Sequence, residues 1–414
     1  MSRPERLASL GIAAIVFLHA GCAEAEDAPL VTYDAEYRIR LLPDQGTARA
    51  SIEIEQDEGQ VHQIRLRVDP NRYFDFEGPG QIDEVEDGIE WIVPPTGGKL
   101  SYVVRINHVR DEAEYDAHVT STWALFRAED IFPPASAITE TGAQSRATLR
   151  LKLPPRWKGV VPFRSKGSAY EIEQPHRRLD FPKGWMLLGD LDITTAEILG
   201  TTITVASPDD HPFHAEDVMA LLRWNLPELR KILQGFPDRL LIVGAQDPMW
   251  RGGLSGPGSM YVHAARPLIE PDGTSPILHE MIHVVTHARA GPEADWIVEG
   301  LAELYSLEAL RRSHTIDEAR HRKTLERLEK RGRKVKSVVG SESRGAMTAR
   351  AVMILYALDA EIREATEGAR SLDDVLRRLA VERDEVTEER FRAIAEEVAG
   401  QSLESFFMNE VPRG

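Results

Sequence analysis

The chain has 414 residues, of which 42% are hydrophobic and 28% charged, so it is long enough for two or three domains with separate cores. Its 67 acidic residues outnumber its 50 Lys and Arg residues, which gives a formal net charge of −17 at pH 7. We therefore predict no nucleic-acid partner, because phosphate binding needs a basic surface. Cys22 is the single cysteine, which excludes an intrachain disulfide and a cysteine-based zinc site.

Residues 1–22 have the order of a secretory signal. Two arginines precede an apolar run over residues 7–18, which is too short to span a membrane, and small residues stand before Cys22. This ending resembles a bacterial lipobox, which implies lipidation of Cys22; cleavage near Ala25 without a lipid is the alternative. We expect an exported protein, either periplasmic or attached to a membrane by the N-terminal lipid alone, with residues 23–29 as a linker.

Residues 30–208 alternate between apolar and polar side chains along many short segments. Leu149, Leu151 and Leu153, for example, are separated by basic residues, and a Gly-Pro-Gly turn lies at residues 78–80. Short, half-buried strands joined by turns are typical of antiparallel sheets that pack face to face. We predict an N-terminal antiparallel β-sandwich domain over residues 30–208.

The remainder of the chain, residues 209–414, mixes helical and strand patterns. Helical spacing over residues 215–233 is followed by an apolar strand at 239–243, a glycine-rich loop and a second strand at 259–263. This second strand could be an edge strand that pairs with an extended peptide, or an ordinary buried strand. Beyond it the pattern is helical. We predict an α/β and α-helical domain here, and an α+β multidomain fold for the whole chain.

Residues 279–283 have the sequence His-Glu-Met-Ile-His, an HExxH motif. A serine and a proline just upstream are suited to the N-cap and first position of a helix. Residues four apart lie on one face of a helix, so His279 and His283 can bind one Zn²⁺ together. Glu280 is rotated by about 100° from His279 and can act on a water molecule rather than on the metal.

A second helix is predicted over residues 296–305, after a Gly-Pro pair that ends the first helix. A short connection favours an antiparallel neighbour, which can bring Glu299 to the same metal as His279 and His283. Two histidines and one glutamate leave a fourth position open to water, as in catalytic zinc sites. We therefore predict one Zn²⁺ per chain.

The HExxH motif and the segment at residues 296–305, with the pattern W-x-x-E-G-x-A-E-x-Y, together resemble the gluzincin metallopeptidases. The resemblance is to the glycyl aminopeptidase family and the peptidase MA-like family in particular. It extends over residues 240–411 through LD-x-x-I-R at 358–363, SLDDV at 371–375 and G-x-x-L-x-x-F-F at 400–407. The resemblance implies a thermolysin-like catalytic domain.

By this resemblance, His279, His283 and Glu299 are the zinc ligands, and Glu280 is the general base that activates a zinc-bound water. Glu303 lies one turn after Glu299, where related enzymes keep a carboxylate that orients a ligand histidine. The implied activity is zinc-dependent hydrolysis of peptide bonds in a peptide or protein substrate.

Two positions depart from the family pattern. Ser255 stands where the family has a glutamate that contributes to binding the substrate's amino terminus. Thr348 stands where the family has a tyrosine that steadies the oxyanion. Arg350 or Tyr356 could replace that tyrosine, and we leave the oxyanion donor unassigned.

These departures leave aminopeptidase and endopeptidase activity both open. The alternative to an enzyme is a non-enzymatic envelope lipoprotein that keeps the zinc-site scaffold for peptide or partner binding. No pattern in the sequence indicates the oligomeric state.

Overall fold

A computed structural model describes residues 31–411, with the exception of 58, 112–113, 174–177 and 341. The predicted signal segment, Cys22 and the linker at 23–29 lie outside the described residues, so their roles stay predictions. Within the described part of the chain, no helix has both the length and the apolar character needed to cross a membrane.

The first part of the described chain consists mainly of strands, as expected from its alternating apolar and polar residues. Turns, a 3₁₀ helix at Pro43–Gln45 and one short α-helix, α1 (Ala128–Ile131), connect them. The strands are β1 (Thr32–Leu42), β2 (Thr47–Glu55), β3 (Val61–Arg67), β4 (Tyr73–Glu77), β5 (Gln81–Val85), β6 (Gly88–Ile92), β7 (Gly97–Arg105), β8 (His108–Asp111), β9 (Glu114–Val119), β10 (Trp123–Arg127), β11 (Ala135–Thr139), β12 (Gln144–Lys152), β13 (Lys158–Val160), β14 (Arg164–Lys166), β15 (Ala169–Ile172) and β16 (Trp185–Gly189).

These strands form three sheets around a common core. The strand orders are β14-β15-β12-β1-β2-β7-β4, β11-β3-β6-β5 and β13-β16-β10-β9-β8. Ile39 and Ile52 of the first sheet are buried in the same cluster as Ile64 and Trp91 of the second, because alternate residues of each strand point inward. Most pairs are antiparallel, whereas β1 lies parallel to β12. The N-terminal part is therefore β-rich, as predicted.

A mixed sheet leads into the second part of the fold. Its strands are β17 (Leu191–Ile198), β18 (Thr201–Pro208), β19 (Arg239–Ala245), β20 (Gly253–Gly256) and β21 (Ser259–His263), in the order β17-β18-β19-β21-β20. Because β18 and β19 are parallel neighbours, this sheet extends across residue 208, where we predicted the end of the sandwich domain. The domain limits stay a prediction.

The two edge strands of this sheet are β17 and β20. The strand at 259–263 is β21, which lies between β19 and β20 and is buried along its whole length, so it is the ordinary buried strand of the two alternatives. The sequence predicts a loop for the glycine-rich segment, and the structure corrects this by placing β20 there. Backbone pairing with β21 outweighs the low β propensity of a Gly-Leu-Ser-Gly segment.

The remaining elements are helices that pack around a second apolar core. They are α2 (Ala215–Ile232), α3 (Pro276–Thr286), α4 (Asp295–Arg312), α5 (Glu318–Gly332), α6 (Ala346–Ala365), α7 (Leu372–Glu382), α8 (Glu388–Ala399) and α9 (Glu404–Glu410). Two short strands, β22 (Arg289–Ala290) and β23 (Glu385–Val386), pair in parallel and connect the segment after α3 to the segment after α7. This architecture confirms the predicted α+β fold class.

Candidate active site

Helix α3 carries both motif histidines and begins where the sequence predicts. Ser275 is its N-cap, with Oγ accepting a hydrogen bond from the Leu278 amide at 3.4 Å, and Pro276 occupies the first helical position. Most of its side chains are buried against β20, β21 and α4. The helix ends at His287, whose left-handed φ of 52° is typical of a C-terminal cap. The two motif histidines are thus held one turn apart on an anchored helix.

Helix α4 packs against α3 and carries Glu299 in its second turn. Trp296 is fully buried in the core. Gly300 permits a close approach to α6, since a Cβ there would lie 2.8 Å from Leu355 Cδ1 and 2.9 Å from Ala351 Cβ. Packing on two sides therefore determines where Glu299 lies.

The three predicted ligands converge. Nε2 of His279 and Nε2 of His283 are 3.2 Å apart. Each lies 3.4 Å from a carboxylate oxygen of Glu299. The three residues form a group whose ligand atoms lie within 4.8 Å of one another. Two imidazole nitrogens and a carboxylate that face one point are the donor set of a catalytic zinc site, so the residues present fit the predicted ion.

Glu303 contacts the ligand cluster on the side of His279 that faces away from Glu299. Its Oε2 lies 2.9 Å from Nδ1 of His279, the ring nitrogen that does not face Glu299. Burial lowers the pKa of His279, but hydrogen bonds to Glu299 and Glu303 outweigh it and raise the pKa well above its usual value. Burial, with the charge of His279, lowers the pKa of His283 to about 4. The carboxylates therefore favour positive charge at this point, which is the condition for binding a cation.

Glu280 lies beside the ligand cluster, between α3 and β20. Its side chain is buried, and the position of Gly253 leaves room for it, since a Cβ on Gly253 would lie 2.8 Å from Glu280 Oε1. Burial raises the pKa of Glu280 to about 7, although the charge of His279 and hydrogen bonds from Ser255 oppose this effect. A carboxylate with a pKa near neutrality is suited to accept and return a proton.

The site opens into a cleft of about 1020 Å³. Residues of β20, α3, α4, the end of α5 and the segment before α6 contribute to its lining. Side chains from all of these elements line it, among them Ser255, Glu280, Glu299, Arg331, Arg344 and Thr348. An extended peptide could lie along the outer side of β20, which pairs with no strand among the described residues.

The cleft contains none of the oxyanion donors that the sequence suggested. Thr348 does line it, and its hydroxyl donates to the Ser343 carbonyl at 3.0 Å. Arg350 is directed away and pairs with Glu410 at 2.8 Å, and Tyr356 is 41% exposed outside the cleft. Among the described residues no tyrosine lines the cleft.

Five arginines that the sequence did not indicate line the cleft, among them Arg331 and Arg344. Arg344 lies four residues before Thr348, which stands at the position of the family's tyrosine. This closeness to a predicted site position was the one signal in the sequence that could have indicated Arg344. Arg331 belongs to α5, whose many charged residues predict a solvent-exposed helix. Charged residues at helix ends and in loops carry no periodic pattern that would place them in a site.

No protein-family model matches this sequence, and no curated protein matches it. Solved structures match the fold. The aminopeptidase N family protein from Idiomarina loihiensis is similar at a TM-score of 0.72 and 15% identity, over 92% of this chain and 76% of that one. The M1 zinc metallopeptidase from Deinococcus radiodurans is similar at a TM-score of 0.58 and 12% identity, over 93% of this chain and 95% of that one. Yeast LTA4 hydrolase in complex with bestatin is similar at a TM-score of 0.57 and 13% identity, over 93% of this chain and 68% of that one.

These similarities extend over more than nine-tenths of the chain, so they include both the β-rich part and the helical part. They agree with the resemblance indicated by the HExxH motif and the glutamate-bearing helix that follows it. The chain therefore shares the overall fold of these zinc metallopeptidase structures.

Proposed function

We propose that the protein is a zinc-dependent peptidase. The observation that carries this proposal is the convergence of His279, His283 and Glu299 on one point, 3.2–3.4 Å from one another, next to the buried carboxylate of Glu280. The M1 zinc metallopeptidases among the structural neighbours support it.

The proposed mechanism assigns a separate task to each side chain. A zinc ion held by His279, His283 and Glu299 would polarise a peptide carbonyl and make a water molecule more acidic. Glu280 accepts the proton of the attacking water and returns it to the leaving amine. Glu303 keeps the proton of His279 on Nδ1, so that Nε2 presents its lone pair to the ligand position.

We propose further that a free amino terminus on the substrate is not required. Ser255 lines the cleft and forms hydrogen bonds with Glu280. It replaces the glutamate that would pair with a substrate ammonium group in the related family. The enzyme should therefore cleave N-acetylated peptides, and strict dependence on a free amino terminus would refute this part of the proposal.

The N-terminal segment supports a location in the cell envelope. We propose that residues 1–22 direct export and that Cys22 carries the lipid. Deletion of residues 1–22 should abolish export, whereas Cys22→Ala should leave export intact and release the protein from the membrane fraction.

The decisive experiment combines metal analysis with hydrolysis of a peptide library. We expect about one zinc per chain, hydrolysis that a chelator removes and zinc restores, and a Glu280→Gln variant that keeps zinc but does not turn over. Zinc binding without hydrolysis would favour the second candidate, a peptide-binding lipoprotein that retains the scaffold. The observation in favour of that candidate is that no tyrosine lines the cleft in the part of the chain that the structure describes.

A further inference from the structure

Two of the arginines that line the cleft, Arg331 and Arg344, have no role in the proposed mechanism. Arg331 lies in the last turn of α5, and Arg344 lies in the loop just before α6. Both line the same cleft as His279 and Glu299. Both arginines are therefore placed where a bound substrate would meet them.

Hydrogen bonds hold the loop of Arg344 in place from both sides. The Ser343 amide donates to Asp295 Oδ2 at 2.5 Å, and the Ser343 carbonyl accepts from Thr348 Oγ1 at 3.0 Å. Asp295 lies on α4, one turn before Glu299. The loop is therefore tied to the helix that carries a predicted metal ligand, and Arg344 is close enough to Glu299 to interact with it electrostatically.

Tight packing brings Arg331 to the same loop. Gly332, the last residue of α5, lies so close to α6 that a Cβ there would be 2.7 Å from the Arg350 amide nitrogen. A Cβ on Gly345 would lie 3.2 Å from Arg331 Nη2, so this guanidinium is beside the residue that follows Arg344. The Arg331 guanidinium therefore lies against the loop that carries Arg344, and both side chains line the same cleft.

Both guanidinium groups are available to a ligand. Arg344 pairs with Glu342 at 3.2 Å, but the side chains are 68% and 64% exposed, and exposed pairs of this kind are weakly held. Within the described chain no acidic group forms an ion pair with Arg331. Two further arginines of the cleft, Arg251 and Arg266, are instead paired closely with acidic neighbours.

We propose that Arg331 and Arg344 bind a carboxylate of the substrate, so that the cleft selects peptides with Asp, Glu or a free C-terminus near the cleaved bond. The inference rests on the proposed peptidase function. Guanidinium groups match a carboxylate in shape and can donate two hydrogen bonds to it at once. In a protein with a net charge of −17, these cationic groups also oppose the general repulsion of an acidic substrate.

The test measures affinity and does not depend on turnover. Zinc-loaded Glu280→Gln protein is titrated with N-acetylated, C-amidated hexapeptides that differ only in Glu or Gln at one position. A further pair differs in having a free or an amidated C-terminus, which separates the two sources of a carboxylate. We expect one acidic peptide to bind at least about tenfold tighter than its neutral partner, since hydrogen bonds to charged groups are the strong ones.

The arginine variants assign this preference to its residues. In the Glu280→Gln protein, Arg331→Gln and Arg344→Gln should each reduce the ratio of the affinities for the acidic and the neutral peptide. The double variant should bring this ratio below about twofold. The matched control is Arg322→Gln, an exposed arginine on α5 outside the cleft. Circular dichroism and zinc content show that each variant is folded and loaded.

Three results would overturn the inference: equal affinity within every pair, no measurable binding of any peptide, or a preference that persists in the double variant. Failure of the proposed function gives a different result, since the wild-type protein would then bind acidic peptides without hydrolysing any peptide.

Discussion

Oε2 of Glu303 lies 2.9 Å from Nδ1 of His279, while Nε2 of the same ring lies 3.4 Å from Glu299. The carboxylate of Glu303 therefore orients the imidazole through Nδ1. The carboxylate of Glu299 lies on the Nε2 side, where both groups are predicted to bind the metal. A histidine held in this way keeps its proton on Nδ1 and presents the lone pair of Nε2.

Removal of this support should weaken metal binding. We predict that Glu303→Ala lowers zinc affinity by about 10- to 100-fold, since the ring of His279 is then free to rotate. Competition with a chromophoric chelator measures the affinity. Glu361→Ala, on the exposed face of α6, is the matched control and should bind zinc like the wild type. Wild-type affinity in Glu303→Ala would contradict the role given to this carboxylate.

The space beside Glu280 depends on a missing side chain. A Cβ on Gly253 would lie 2.8 Å from both Cγ and Oε1 of Glu280, whereas a Cβ on Gly256 of the same strand would meet its neighbours at an ordinary 3.4 Å. We predict that Gly253→Ala displaces the carboxylate and lowers the rate of hydrolysis by about 10²-fold. Gly256→Ala should remain active, and both variants should keep their zinc. Equal activity of the two variants would refute this role of Gly253.

Zinc should stabilise the folded protein, because the ligand set exists only when α3 and α4 are packed together. We predict a higher melting temperature with zinc than after chelation, with a gain of about 2.7 kcal/mol at a free zinc concentration of 100 times Kd. Glu299→Ala should abolish most of this zinc-dependent shift in Tm. A shift of wild-type size in that variant would place the metal elsewhere.

Two histidines outside the cleft require neutral rings. The Gln246 amide donates to Nδ1 of His211, and the Ala265 amide donates to Nδ1 of His263, both at 3.2 Å. A nitrogen that accepts a hydrogen bond cannot carry a proton. Burial lowers the pKa of both imidazoles below the usual value, so these rings take up a proton more readily in the unfolded chain.

This difference predicts a loss of stability in mild acid. The contribution to the free energy of unfolding is fully present above about pH 6.5 and decreases as the pH falls below that value, because the unfolded chain then binds more protons. For the buried His263 the loss cannot exceed about 1.4 kcal/mol per pH unit, the limit for one whole proton. Urea denaturation near pH 7.5 and pH 5.5 measures it.

The assignment to His263 can be tested by substitution. His263→Gln, which keeps an acceptor for the Ala265 amide, should show a smaller decrease in stability between the two pH values than the wild type. His62→Gln changes an exposed histidine and should behave like the wild type. The same pH dependence in all three proteins would refute the assignment.

The sequence predicts the ligand-bearing helices well because their signals are local. Ser275 and Pro276 mark the start of α3, and the four-residue spacing of His279 and His283 places both rings on one face. Glu299 follows on the next helix after a short connection. Each of these inferences needs nothing beyond a few neighbouring residues.

The rest of the site depends on contacts between distant segments. β20 is a strand only because it pairs with β21, and its composition predicts a loop. Arg331 reaches the loop before α6 because Gly332 lets α5 approach α6, which no local pattern shows. Arg350 and Tyr356 do not line the cleft, and the sequence does not show this because a helix position alone does not indicate which face meets the cleft.

The pairing of residues 289–290 in β22 with residues 385–386 in β23 bears on the order of events during biosynthesis. All three predicted ligands have left the ribosome long before β23 and the helix α6 that supports Glu299. A nascent or truncated chain therefore contains the whole motif without the geometry that gives it affinity for metal. Hydrolytic competence would arise only once α6 and β23 are in place, so chains released before that point would be inert toward other proteins.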